Sequence, residues 1–542
     1  MSSIDISLMR GEQPRIVSHL LPETNATLAQ NCHFRHGVIT PLYMDKDEAI
    51  PFSLDPQTLF HYRDDVWFTW AGRVQAIRSP VAQDQYDRVY FTDGRHPQVT
   101  SAQIASQGHG RYPAASYRLG IPAPEHPPTI GEIHYPEDEQ PNDPLDDETR
   151  FYVETYVTAY GEEGPPGPVS REVSIPYPGS RVTLHLAPLI AQNHNISRRR
   201  IYRTVTGGGA ADYLLVTELA LGQESYVDAL PSAELGGVLE TYDYLMPPDN
   251  MVGLCLMANG IAAAFAGNEV MFSEPYLPYA WPGAYRQSTE HNIVAIAALG
   301  TVLVVVTQGY AYLFSGVSPG SMTSSKLPIM QACLSTDSMV EMDGFVLYAA
   351  ANGLVSVDAA GNALVATEAI VEPRQWRRAF TLRLSAPGGW RASILLCIGM
   401  RGIAPQDLFS IRGRWIYAVW IPTLRAPVID WRTNSCMWSG GGSCISCSRG
   451  TQPHQMRWRS RVFLAHAAVS FACLRVLSPQ LLRVGVQIVI DGEVAFSLPP
   501  GALTEPCVKL PVLSGRRWQI ECFGTAQVER LTLSTSMDTL PP

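Results

Sequence analysis

The sequence predicts an all-β protein, with a propeller-like domain interrupted by a β-sandwich and followed by a further β domain. Three observations predict it. Gly and Pro number 43 and 42 in 542 residues, so turns are frequent. Tyr, Trp, Val and Thr, which suit a pleated, half-buried surface, are plentiful. Short apolar runs with an aromatic residue recur, each ending at a turn signal, on both sides of an acidic stretch. The length corresponds to roughly three or four domains and is ample for sizeable cores without covalent staples.

Residues 1–50 read as a loop-rich docking segment. Leu20-Leu-Pro-Glu-Thr-Asn-Ala-Thr-Leu-Ala-Gln-Asn-Cys-His-Phe reads as a turn and a short helix, capped by Thr24 or Asn25, leading into a strand. Residues 51–106 supply the first propeller blades. Leu59-Phe-His-Tyr-Arg, Val66-Trp-Phe-Thr-Trp and Arg88-Val-Tyr-Phe-Thr are bounded by Asp, Gly or Pro, and Asp93-Gly94 signals a hairpin. Residues 107–149 read as an extended, Pro-rich linker. Glu137 to Glu148 holds seven acids and no base.

Residues 150–245 read as a separate sandwich. Phe151, Val153, Thr155, Val157 and Ala159 alternate with Tyr152, Glu154, Tyr156, Thr158 and Tyr160 at the strand period of two. Ile201-Tyr-Arg-Thr and Tyr213-Leu-Leu-Val-Thr-Glu flank Gly207-Gly-Gly209 as a hairpin. Strands at this spacing suggest an immunoglobulin-like sandwich. Tyr156-Val-Thr-Ala-Tyr-Gly-Glu-Glu-Gly-Pro-Pro-Gly-Pro-Val-Ser resembles a fibronectin type III module.

Residues 246–384 return to the earlier style as the remaining blades. Val270-Met-Phe-Ser-Glu-Pro, Ala311-Tyr-Leu-Phe-Ser-Gly and Val346-Leu-Tyr-Ala-Ala-Ala-Asn-Gly echo Val89-Tyr-Phe-Thr-Asp-Gly. The repeat is loose, and radially repeated sheets are its natural home. A plain string of sandwiches is the alternative. Residues 385–454 stand apart: from 385 to 450 there are only two acids, Asp407 and Asp430, and much Arg, Trp, Ser and Cys. The apolar pattern fits neither period, and one reading of the interval is a shifted reading frame. Residues 455–542 read as a C-terminal β domain, with Val484-Gly-Val-Gln-Ile-Val-Ile before Asp491-Gly492.

Charge and motifs bound the function. The formal net charge of −10 argues against binding nucleic acid through phosphates, yet suits a channel wall that DNA slides past. The N-terminus lacks the basic and apolar regions of a secretory signal, and no run of ~18 apolar residues occurs, so synthesis in a cytoplasm is expected. Seven of the 10 cysteines follow residue 396 and are expected as free thiols. Cys444 and Cys447, with Cys436 and Cys473, lack the second pair that structural zinc needs. Ser439-Gly-Gly-Gly-Ser443 lacks the Lys of a phosphate loop. Asp143, Asp146, Asp147 and Glu148 lack the alternation of a calcium loop. No His-Glu-x-x-His occurs. Glu23 with His33, and Asp93 with His96, are the nearest approach to acid–base pairs. No enzyme activity, cofactor or metal is expected. The basic groups Arg198, Arg199, Arg200 and Arg374, Arg377, Arg378 are the candidate subunit or DNA contacts, with Arg200 already read as the solvent face of a strand.

Three sets of residues carry a resemblance. The first is Met9-Arg-Gly-Glu-Gln-Pro-Arg-Ile with Leu20-Leu-Pro, Ala29-Gln-Asn-Cys and Gly37-Val-Ile-Thr-Pro-Leu. The second is Ser79-Pro, Asp87-Arg-Val-Tyr-Phe-Thr-Asp-Gly and Pro97-Gln-Val-Thr. The third is Ile293-Val-Ala-Ile-Ala, Tyr312-Leu-Phe-Ser-Gly and Asn352-Gly-Leu-Val. Together they resemble the tail nozzle or tubular hub proteins of podovirus-type bacteriophages. The resemblance implies a virion protein that forms a homo-oligomeric ring, a hexamer, below the portal and adaptor. It would contact tail fibre or spike proteins, with genomic DNA passing through without sequence-specific binding. A receptor- or glycan-binding tail protein is the alternative. A polysaccharide-degrading enzyme is a third reading, whose mark would be two close carboxylates in a cleft.

Overall fold

The computed structural model describes residues 3–44, 46–47, 58–64, 66–108, 112–136, 148–177, 179–189, 193–205, 212–342, 344–377, 425–430, 435–440, 443–446 and 450–537. Nearly all regular structure among them is strand. The chain divides into two compact units. One comprises Met1–Gly72, Val304–Leu313 and Lys326–Pro542; the other comprises Arg73–Leu303 and Phe314–Ser325.

Four sheets of four strands have a strand order that follows the chain. They are formed by Gln75–Arg78 to Tyr117–Arg118, Val252–Leu256 to Gln287–Ser288, Ile293–Leu299 to Thr323–Lys326, and Val340–Glu341 to Ala363–Val365. This up-and-down meander is the building unit of a propeller. The four echoing sequences fall on central strands of the four sheets: Val89–Thr92, Glu269–Phe272, Ala311–Ser315 and Phe345–Ala350. They look alike because a central strand is covered on both faces, which selects aromatic, Val and Ala side chains. In the first sheet, Thr92 pairs with Pro97 across the expected turn, where Gly94 takes φ +80° and Asp93 Oδ1 accepts the Arg95 N–H at 2.9 Å.

Between the first and second sheets lies the expected sandwich. One layer orders Thr129–His134, Arg181–His185 and Ser225–Asp228; the other orders Tyr152–Thr158, Ile196–Thr204 and Tyr213–Ala220. Ile130, Tyr152, Val182, Leu184, Ile201 and Val216 belong to its core. The sandwich therefore begins before residue 150. Thr129–His134 lies in the stretch expected as linker, and its burial alternates weakly because it is an outer strand. Tyr117–Arg118 likewise closes the first sheet beyond residue 106. The strand Tyr152–Thr158 is buried at all seven positions, so its polar members face protein and not water.

The N-terminal segment differs from expectation most. Ser3–Ile6 pairs with Arg530–Ser534, and Ala26–Gln30 pairs with Met456–Ser460. The stretch expected as a helix capped by Thr24 or Asn25 is this second strand. Tertiary pairing overrides local propensity here: Ala26 and Ala29 are buried in the same core as Trp458, Trp518, Phe471 and Ile488. Phe471 meets Trp518 edge-on, with centroids 4.8 Å apart. Burying Ile4 and Ile6 there contributes roughly 1.5–3 kcal/mol each. Within the anomalous interval, Arg425–Asp430, Ser435–Gly440 and Ser443–Ser446 form a sheet with Lys46–Asp47. The side chains of Cys436, Cys444 and Cys447 lie outside the described residues.

Candidate functional site

The arginines picked from the sequence separate by burial. Arg198, Arg199 and Arg200 follow one another along the central strand Ile196–Thr204, so neighbours point to opposite faces. Arg199 is fully buried. Its guanidinium lies 3.2 Å from Glu154 Oε1 and donates to the Ala187 carbonyl at 3.1 Å. Burial pushes Glu154 up to about 7, with Arg199 opposing the rise. Arg199 is thus enclosed by its own sandwich and presents no surface. Arg198 and Arg200 share Glu218, and Arg200 also reaches Glu163. Glu163 in turn accepts from Thr155 at 2.6 Å and Tyr202 at 2.7 Å. Arg198 stays 43% exposed, the most open of the three. Arg374 and Arg377 are exposed on a short helical turn, and Arg378 lies outside the described residues.

A second charged group holds the sandwich together from inside. Asp228 Oδ2 accepts from Tyr152 OH at 2.8 Å and from Arg203 at 2.9 Å, while Oδ1 accepts the Leu230 N–H at 3.1 Å. Arg150 lies 3.5 Å from the same carboxylate and binds Glu148 at 2.7 Å. Glu148, weighed earlier as part of a calcium loop, is thereby engaged. Burial raises its pKa, but the Arg150 and Ser232 hydrogen bonds carry it below the usual range.

A third group was not picked out from the sequence: the junction of the sandwich with the first sheet. Arg88 donates to Asp84 at 2.7 Å and to Glu162 across the junction. Its guanidinium lies over Tyr86 at 5.7 Å and Tyr160 at 5.6 Å, rings that are themselves 4.8 Å apart. Burial lifts Glu162 to about 6 against the pull of Arg88. The Gly- and Pro-rich loop after Tyr160 completes the contact. A Cβ at Gly164 would lie 2.5 Å from Ile121, and one at Gly167 would lie 2.7 Å from Pro124. The available signal was Asp84 four residues before Arg88; the partner Glu162 was too distant in sequence to suggest. The core below joins Ile77 and Tyr90 of the first sheet, Tyr156 of the sandwich, and Leu254 and Trp281.

The candidate acid–base groups do not converge. Asp93 caps the hairpin turn, and His96 lies 3.4 Å from Asp249, which also binds Arg118. Glu23 is exposed in a loop, and His33 sits on the short strand Cys32–His33. The pentapeptide Gly316-Val-Ser-Pro-Gly320 has the spacing of a nucleophile elbow. Its Ser318 caps a 3-10 turn, with its hydroxyl 3.0 Å from that of Ser321. No group of three or more His, Cys, Asp or Glu side chains able to hold a metal occurs among the described residues.

No protein-family model and no curated protein matches the chain. Solved structures show distant likeness. Apo AztD from Citrobacter koseri is 10% identical, with 62% of this chain and 92% of that chain covered, at a TM-score of 0.20. The extracellular domain of the putative hybrid two component system BT4673 from B. thetaiotaomicron is 9% identical, with 91% and 79% covered, at 0.21. PorZ, a surface component of the type-IX secretion system of Porphyromonas gingivalis, is 10% identical, with 90% and 89% covered, at 0.23. Scores this low carry no argument about fold or function. The class of the protein, all-β with propeller-like sheets and an inserted sandwich, rests on its own strand pairing.

Proposed function

We propose that the chain is a structural subunit of a short-tailed bacteriophage tail, forming a ring-shaped nozzle or hub below the portal and adaptor. One observation supports this most: the described charged clusters join one part of the chain to another. Arg88 with Glu162 fastens the sandwich to the first sheet, and Asp228 with Arg203 fastens the sandwich layers. The residues that carry the sequence resemblance agree with a scaffolding role. Val89–Thr92 and Ala311–Ser315 are central strands, and Met9, Ala29 and Cys32 are core.

In this reading the ring holds packaged DNA and then opens for ejection. An acidic chain repels the DNA backbone, so the DNA slides without sticking. Contacts between neighbours in a ring are heterologous and close on themselves. Mass photometry tests the proposal, with the purified chain alone and mixed with its portal and adaptor proteins. A closed oligomer is expected in at least one of the two. A stable monomer in both overturns it.

A further inference from the structure

Two exposed patches of opposite charge lie on separate parts of the chain. The first is the segment that leaves the sandwich. It runs along the outer edge of Tyr213–Ala220, where Leu215 N–H donates to the Gly237 carbonyl at 3.0 Å and Leu239 N–H to the Tyr213 carbonyl at 2.8 Å. Side chains therefore alternate. Leu239 packs on Val153 and Tyr202, and Thr241 donates to the Gly164 carbonyl at 2.7 Å. Between and beyond them, Val238 is 49% exposed and Tyr242 46% exposed, with Leu245 and Met246 also open. The charges on this patch are acidic: Glu240 and Asp243 are exposed and have no ion-pair partner among the described residues.

The second patch is the loop joining Cys507–Lys509 to Gly515–Gly524. Val512 at its tip is 97% exposed, and Leu464, paired with Arg517, is 55% exposed. Lys509, Arg516 and Arg517 flank Val512 along the chain, exposed and likewise without an ion-pair partner among the described residues. Asp491 at the base bonds the Arg517 backbone N–H at 3.0 Å.

Single exposed apolar residues are ordinary, but exposed apolar groups rimmed by polar and charged residues mark an interaction surface. Each patch would repel itself in a two-fold contact, because acid would face acid or base would face base. Each complements the other. We infer that the acidic strip around Tyr242 on one copy of this chain receives the basic loop around Val512 of a second copy, head to tail. Repeated head to tail from copy to copy, such a contact is heterologous and generates a ring or an open filament. The inference rests on the ring reading above and names the surface that would build it.

The test uses the full chain in two charge-reversed forms, E240K/D243K and R516E/R517E. All four positions are exposed, so folding should be nearly unchanged, and a thermal melt checks this. Assembly is measured by mass photometry and sedimentation at low and high salt. Each variant alone should self-associate at least ~10-fold more weakly than the parent, because like charges now meet. A 1:1 mixture should recover assembly, since every contact again joins opposite charges, and 1 M salt should weaken the parent. The inference is overturned if either variant assembles like the parent, or if the folded variants fail to assemble when mixed. In both cases a parent ring leaves the nozzle reading standing. A parent that stays monomeric, alone and with its adaptor partners, overturns both.

Discussion

Replacing Asp228 with asparagine removes one charge from a group in which two arginines and a tyrosine meet. The carboxylate and Arg203 are fully buried. Asparagine keeps one acceptor oxygen, but its amide turns N–H donors toward guanidinium donors. Breaking a buried pair by neutralising one partner costs about 3–5 kcal/mol, because the other charge is left without compensation. At 1.4 kcal/mol per decade this is roughly two to three and a half decades in the local opening equilibrium. Residues 129–245 contain no Trp, so Trp fluorescence does not see the sandwich directly. Hydrogen exchange read by mass spectrometry does. Peptides covering Tyr152–Thr158 and Arg181–His185 should exchange faster by that factor, because Val182 pairs with Asp228 and Tyr152 binds it. A peptide covering Met456–Ser460, in the other unit, should not change. The double variant D228L/R203M removes both charges together and should recover most of the loss. A change below about threefold (~0.7 kcal/mol) for D228N, or a double variant as weak as the single one, would refute the reasoning.

Four further outcomes follow from the same geometry. Glu154 and Glu162 have folded values of about 7 and about 6 against an ordinary 4.5, so the folded state holds protons that the unfolded state has lost. Exchange protection of the sandwich should therefore rise as pH falls from about 7 to 4.5, and a flat profile would count against their burial. The double variant I4A/I6A should destabilise the core of the unit containing Trp458 and Trp518 by about 4 kcal/mol or more, read by urea unfolding and by exchange in Arg530–Ser534. Asp5→Asn nearby breaks the exposed contact with Arg530 and should cost no more than about 1 kcal/mol in the same unfolding assay. Gly164→Val places a side chain against Ile121 and should loosen the junction, seen as faster proteolysis between the first sheet and the sandwich.

Much of the fold was legible because its signals are local. Leu59-Phe-His-Tyr-Arg and Val66-Trp-Phe-Thr-Trp are the strands they suggest, here paired with each other, and Asp93-Gly94 turns where its residue types require. The group at Arg88 was not legible, because its partner Glu162 lies 74 residues away. The basic run Arg198 to Arg200 was legible as charge but not as burial. Alternation along one strand sends Arg199 inward to Glu154 and its neighbours outward to Glu218.

Taken alone, the sequence determined the all-β class, the strands around each turn and the existence of an inserted sandwich. Composition and a period of two suffice for these, since each depends on residues a few positions apart. Only the tertiary structure decided that Ala26–Gln30 is a strand and not a helix, and that Ser3–Ile6 lies beside Arg530–Ser534. Such pairings join residues hundreds of positions apart. No local pattern encodes them, and they are selected by the apolar surface that the two segments bury together.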